Sequence, residues 1–290
     1  MRETMLRILS TLLLLVLHAG ISRAQTSNSA ASYVKRAMLH NAQGDIDAAV
    51  SDLDAALAFD PNCFAAYLNR GAARYARGDF EGAILDFNKA IDISPRAPEP
   101  YNNRANARLS KGDIEGALDD YGKALELNPR NAEALYNRAN ILRDRGNPDG
   151  AIRDYTAAIK SNPRLAEAYT NRGNLRMKKD DIDAAMSDYQ TAIRINPRLA
   201  EAYNGRGNAR FAKGDLDVAA ADYSRAIEID TSFAQAYAGR GLVRLLQGRT
   251  ADAERDFAEC LRLDASLKSS LEEHINAAKQ RLAKSIRKLP

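Results

Sequence analysis

Ala202-Tyr203-Asn204-Gly205-Arg206-Gly207-Asn208-Ala209-Arg210-Phe211-Ala212-Lys213-Gly214-Asp215-Leu216-Asp217-Val218-Ala219 is the stretch on which the reading of this chain turns. Its pattern returns at intervals of 34 residues, and prolines at 61, 95, 129, 163 and 197 keep the same interval. Seven blocks follow, starting at residues 30, 64, 98, 132, 166, 200 and 234. Position 20 of the block is alanine in all seven, from Ala49 and Ala83 to Ala253. Position 8 is always Gly or Ala, and position 27 is alanine until Cys260 replaces it in the last block. Position 24 is Leu53, Phe87, Tyr121, Tyr155, Tyr189, Tyr223 and Phe257. Seven coincidences of this kind identify a repeat protein.

Each block reads as two helices. Gly44, Gly78, Gly112, Gly146 and Gly214 end the first at position 15, where a left-handed residue closes a helix. Asp45, Asp79, Asp113, Asn147, Asp181 and Asp215 follow as N-caps of the second. Pro148 falls directly after its cap, at the early helical position that proline favours. Small residues at 8 and 20 let the helices approach, and large ones at 4 and 24 fill the space beside them. No block buries its apolar stripe alone, so the blocks must stack.

The repeat resembles the tetratricopeptide repeat, in a variant carrying Asn-Arg-Gly where that family usually has other residues. The resemblance covers residues 30–267 and departs at position 7, arginine in every block, and at position 11, mostly arginine. It implies an all-α, right-handed superhelical solenoid of seven helix-turn-helix repeats. It further implies a scaffold that binds other proteins, with an extended peptide laid in the concave groove lined by first helices. The family's carboxylate clamp needs Lys or Arg at positions 2 and 6. Here position 2 is Glu99, Glu133, Glu167 and Glu201, so the clamp is missing.

The ends complete the accounting. Residues 1–24 read as a secretory signal peptide: basic Arg2 and Arg7, an apolar run from Ile8 to Leu17, then Ser22 and Ala24 before a cleavage site. That run is about ten residues, short of the roughly 20 that cross a bilayer; a retained anchor is the competing reading. Residues 25–29 form a short linker, and residues 268–290 an amphipathic helix with Leu271, Ile275, Ala278, Leu282 and Ile286 on one stripe. That helix is expected to cap the open end of the stack. The expected location is the exported, periplasmic side, with no integral membrane segment after cleavage behind Ala24.

Charge does not point to nucleic acid. The chain carries 42 Lys and Arg against 38 Asp and Glu, and loses three Arg and one Glu with residues 1–24, leaving a net +2. Repeats, leader, linker and cap account for every residue, so no catalytic domain is expected, nor any cofactor. His40 and His274 stand alone and no cysteine pair has metal spacing, so no metal site is expected. The stacked arrangement places Cys63 and Cys260 on the order of 50 Å apart, given helices of about 10 Å diameter, far beyond disulfide reach. Cys260, in place of a small alanine, is expected to be buried.

Three polar columns remain. Position 7 carries Arg36, Arg70, Arg104, Arg138, Arg172, Arg206 and Arg240, and position 23 carries Asp52, Asp86, Asp120, Asp154, Asp188, Asp222 and Asp256. In an antiparallel hairpin these meet, and we expect structural ion pairs, since a guanidinium can grip a carboxylate with two bonds. An arginine stripe for an anionic polymer is the competing reading. The third column is asparagine: Asn69, Asn103, Asn137 and Asn171 at position 6, with Asn106, Asn140, Asn174 and Asn208 at position 9. Three residues apart on one helix, they share a face. Asparagine is a mediocre helix former, and its amide matches a peptide backbone with both donor and acceptor. These residues are the expected ligand groove; the alternative is that they bond neighbouring helices. The partner expected is a protein or peptide, with self-association through exposed repeat edges open. A structural component of the cell envelope, glycan-associated or self-associating, is the alternative function.

Overall fold

The computed structural model describes residues 29–286, and side chains as far as residue 283. The leader, most of the linker and the last four residues lie outside the described residues, as does the side chain of Ile286. The described chain is all-helical, with no strand among the described residues. It divides into two compact units, Met1–Ala134 and Leu135–Pro290.

The first unit holds α1 (Ala30–Ala42), α2 (Ile46–Phe59), α3 (Phe64–Ala76), α4 (Phe80–Ile93), α5 (Pro98–Ser110) and α6 (Ile114–Leu127). The division falls inside α7 (Ala132–Asp144). The second unit continues with α8 (Pro148–Ser161), α9 (Ala166–Lys178), α10 (Ile182–Ile195), α11 (Ala200–Lys213), α12 (Leu216–Ile229), α13 (Ala234–Leu246) and α14 (Thr250–Leu263). A 3-10 turn, Ala265–Leu267, leads into α15 (Lys268–Ile286). Odd-numbered helices as far as α13 are first helices of a hairpin and even-numbered ones second helices. In both units the extensive contacts between alternate helices join first helices, α1 to α3 to α5 and α9 to α11 to α13. Within each unit the first helices therefore stand on the inside of the bend.

Capping sets the hairpin turns. The side chains of Asp45, Asp79, Asp113 and Asn147 accept from the backbone amide three residues on, at 2.9–3.0 Å. That satisfies one of the amides that a helix start leaves open. The glycine before each cap is left-handed, with φ between 73° and 87°. The fifth block has Asp180 there instead, at φ 62°. An L side chain in this region is strained, although aspartate tolerates it better than most. Asp180→Gly should therefore raise stability by up to about 1 kcal/mol, read from urea unfolding; a loss of stability would contradict the strain.

The core is built as the small–large alternation demands. Ala83, Ala117, Ala151, Ala185 and Ala219 are fully buried, and so are Phe87, Tyr121, Tyr155, Tyr189 and Tyr223. A Cβ on Gly173 would lie 2.8 Å from the Tyr189 ring and one on Gly71 2.6 Å from Phe87, so ring and backbone touch directly. Cys260 is buried in the last hairpin and burial pushes its thiol pKa up; both cysteines are free. In α15, Leu271 and Ala278 are buried, packing with Ile275 and Leu282 on the last hairpin beside Cys260, Leu245 and Ala253.

Candidate functional site: the polar columns of the first helices

Each position-23 carboxylate is buried and gripped by arginines from its own first helix. Asp188, 3% exposed, accepts from Arg172 Nε at 3.0 Å and Nη2 at 2.7 Å, and from Arg176 Nη1 at 2.7 Å. The same two-arginine arrangement holds Asp86 through Arg70 and Arg74. It recurs at Asp120 with Arg104 and Arg108, at Asp222 with Arg206 and Arg210, and at Asp256 with Arg240 and Arg244. Arg138 alone grips Asp154, at 2.7 and 2.9 Å, because position 11 of that block is Leu142. At the exposed N-terminal hairpin, Arg36 holds Asp52 by its Nε and Nη2 and lowers its carboxyl pKa from the ordinary value.

The position-7 arginines also tie repeats together. Arg70 Nη1 reaches back to Asp54 of the preceding block at 2.5 Å, and Arg104 to Asn88 at 2.6 Å. Arg172 reaches Thr156 at 3.0 Å and Arg240 reaches Ser224 at 3.3 Å. The tyrosine one turn earlier lies under the guanidinium, as with Tyr67, Tyr101, Tyr169, Tyr203 and Tyr237, at 5.4–5.6 Å from the ring centre. These guanidinium groups are engaged on both sides by the protein, which leaves little for an anionic polymer to neutralise. A further ladder escaped the sequence reading. Arg77 pairs with Asp47, Lys111 with Glu81, Lys179 with Asp149 and Lys213 with Asp183, each joining position 14 to position 18 of the block before. Both ends are exposed to solvent, so each pair adds little to stability.

The asparagines divide into two kinds. At position 9 the side-chain carbonyl accepts from the buried tyrosine of position 24. Tyr155 donates to Asn140 at 2.5 Å, Tyr189 to Asn174 at 2.7 Å and Tyr223 to Asn208 at 2.8 Å; Tyr121 does the same to Asn106. Burial pushes the phenol pKa values of Tyr155, Tyr189 and Tyr223 well above their ordinary value, so these hydroxyls stay donors. Asn106 also donates to Glu133 at 2.9 Å. What position 9 presents outward is therefore the NH2 half of the amide, and Asn174 and Asn208 are exposed there. The sequence carried a signal for this pairing. Wherever position 24 lacks a hydroxyl (Leu53, Phe87, Phe257), position 9 is apolar (Met38, Ala72, Leu242).

Position 6 is less committed. Asn69 donates to the Ala65 carbonyl of its own helix at 2.7 Å. Asn103 accepts from Asn102 at 3.4 Å. Asn171 donates toward Tyr136 and Asn140 at 3.3 and 3.2 Å, joining two repeats. Asn137 is half-buried on α7. Beside this column stand the exposed carboxylates of Glu99, Glu133, Glu167 and Glu201. The pairing makes a sharp expectation. Asn174→Ala should destabilise by about 1–3 kcal/mol, because it leaves the buried Tyr189 hydroxyl without its partner. In a Tyr189→Phe background the same change should cost almost nothing. Additive losses in the denaturation cycle would mean that the two groups do not depend on each other.

Such columns on stacked helical hairpins, with no group of His, Cys, Asp or Glu able to hold a metal among the described residues, define a helical-repeat scaffold. Family models agree: the tetratricopeptide repeat model matches residues 34–98 and 102–166, and a second model of the repeat matches 173–214 and 207–248. The chain belongs to the tetratricopeptide repeat family, whose members typically act as non-catalytic scaffolds that bind protein partners. Among curated proteins none matches it. Among solved structures it is similar to MamA, at 29% identity and TM-score 0.50 over 57% of this chain and 96% of that one. It is also similar in fold to a tetratricopeptide repeat protein from Parabacteroides merdae, at 23% identity and TM-score 0.58 over 86% of this chain and 98% of that one. YrrB, described as a TPR protein with an unusual peptide-binding site, is 24% identical with TM-score 0.55, over 67% and 97%.

Proposed function

We propose that the protein is an exported, non-catalytic scaffold that holds an extended segment of a partner protein against the inner faces of its first helices. The observation that carries this reading is the recurrence of side-chain amides on those faces in both units, next to a column of exposed glutamates. An amide column supplies donors, and the carboxylates supply acceptors, at intervals that repeat with the hairpins. A peptide backbone offers the complementary set at regular spacing, and its side chains need not be read. The arginines of the structural ladders, by contrast, are engaged by carboxylates of the protein itself, which leaves recognition to the amides.

Residues 25–290, tagged and used to capture partners from an envelope extract, test the proposal. Stable protein partners that are released by mutation of the amide column support it. Retention only on purified cell-wall polymer would replace it with the structural, glycan-associated role. Export rests on the leader-like residues 1–24. Expressed at full length in its native host, the protein should begin at or near Gln25 and fractionate outside the cytoplasm. A cytoplasmic protein still starting at Met1 or Met5 would remove the compartment from the proposal. No helix among the described residues is long and apolar enough to cross a membrane.

A further inference from the structure

The amide column changes character at the end of the second unit. Position 6 is asparagine in blocks two to five but glycine at Gly205 and Gly239. A Cβ on Gly239 would lie 2.5 Å from the Tyr223 ring, so the ring occupies the space where a side chain would stand. Position 5 shrinks as well, to Ala238. A cavity of about 390 Å³ lies between the first helices α11 and α13 and the capping helix α15, with Ala238 and Gly239 in its wall. That volume is at the low end of the roughly 300–1,000 Å³ of small-ligand sites.

Phe211 and Tyr223 form an apolar wall on one side of the cavity, and Leu242, Leu267 and Leu271 form another, while Asn208, Gln235, Ser270 and His274 also line it. No Asp, Glu, Lys or Arg lines it, so an ionic guest would lose hydration with no carboxylate, ammonium or guanidinium to pair with. One of the polar residues lacks a partner. Asn204 lines the cavity, and its Oδ1 is buried with no hydrogen-bond partner among the described residues. A buried acceptor without a donor carries a desolvation penalty that a ligand can remove.

We propose that this cavity anchors one large aromatic or branched aliphatic side chain of the extended partner segment, whose backbone N–H donates to Asn204 Oδ1. The inference rests on the reading that first-helix faces hold an extended chain, and names the side chain that this otherwise backbone-directed face selects. The predominance of apolar side chains favours an apolar anchor, and Asn204 favours a guest attached to an amide over a simple hydrocarbon.

The chain contains no tryptophan, so the fluorescence of a tryptophan-bearing peptide reports on that peptide alone. The blocked pentapeptide acetyl-Ser-Ala-Trp-Ala-Ser-amide should show a saturable blue shift with residues 25–290. Its phenylalanine counterpart should displace it, and its glutamate counterpart should not at the same concentration. Ser270→Phe, on the exposed face of α15, and Ala238→Phe each fill the cavity and should weaken binding at least tenfold, with helical content and melting temperature checked. Asn204→Ala removes only the acceptor, should weaken binding several-fold, and serves if a filling variant fails to fold. Val218→Ser, at an exposed apolar residue outside the cavity, should change nothing.

Absence of a saturable shift, undiminished binding by the folded filling variants, or loss on Val218→Ser would overturn the proposal. A dimer in sedimentation that Ser270→Phe dissociates would also overturn it, making a second copy the occupant. Failure of the pentapeptide with partner capture intact sinks the cavity alone. Binding of the pentapeptide with no captured partner sinks the scaffold reading alone.

Discussion

Asp188→Ala should lower stability by about 3–5 kcal/mol, among the largest single-residue losses the structure offers. The carboxylate is 3% exposed and receives three charge-assisted bonds from Arg172 and Arg176. Its removal leaves two guanidinium groups inside the hairpin with no counter-charge, and Arg172 is itself only 9% exposed. Stranded buried charge, rather than the lost attraction, sets the size of the effect. Adding Arg172→Met should recover part of the loss, since it removes the worse-placed charge. Replacing Asp183, whose pairing with Lys213 is exposed at both ends, should cost far less. Repeat proteins unfold in neighbouring groups, so the loss is best read from amide exchange in α9 and α10 together with denaturant unfolding. A loss from Asp188→Ala no larger than that from Asp183→Ala would show that the triad carries no burial penalty.

The second large effect is on binding. Asn137→Ala with Asn171→Ala removes two side-chain amides from the face proposed to hold the partner. Each hydrogen bond contributes about 1 kcal/mol net, so the pair should weaken a captured partner by about thirtyfold. Folding should change little, because alanine is the better helix former. Asn171 gives up its bonds to Tyr136 and Asn140, both longer than 3.1 Å. Normal binding by a protein that melts markedly lower would reverse the assignment. The amides would then hold repeats together, and recognition would have to lie elsewhere.

How much of this was legible in the sequence depended on what each position had to satisfy. The period alone located the hairpins, because Gly at 15 and Asp at 16 act through local backbone geometry that any sequence reader can apply. Asp180 shows the limit: it occupies the glycine conformation without the glycine signal. The Arg–Asp columns were also legible, since both partners recur without exception and sit sixteen residues apart across one turn. The second arginine at position 11 went unassigned to them, although Arg74, Arg108, Arg176, Arg210 and Arg244 reach the same carboxylates. Position 9 was read as groove because it shares a helix face with position 6. Helical spacing fixes direction but not the length of a neighbouring side chain, and the tyrosine of position 24 reaches across to take the carbonyl. The switch from asparagine to glycine at 205 and 239 was visible, but the cavity beside Gly239 required the position of α15.

The central claim is that the inner first-helix face is the recognition surface. A photoreactive benzoylphenylalanine placed at Asn137, and separately at Lys160 on the exposed side of α8, tests it against the partner captured from the envelope extract. The account predicts covalent capture of the partner from position 137 and none from position 160. Capture from position 160 with none from position 137 would contradict it.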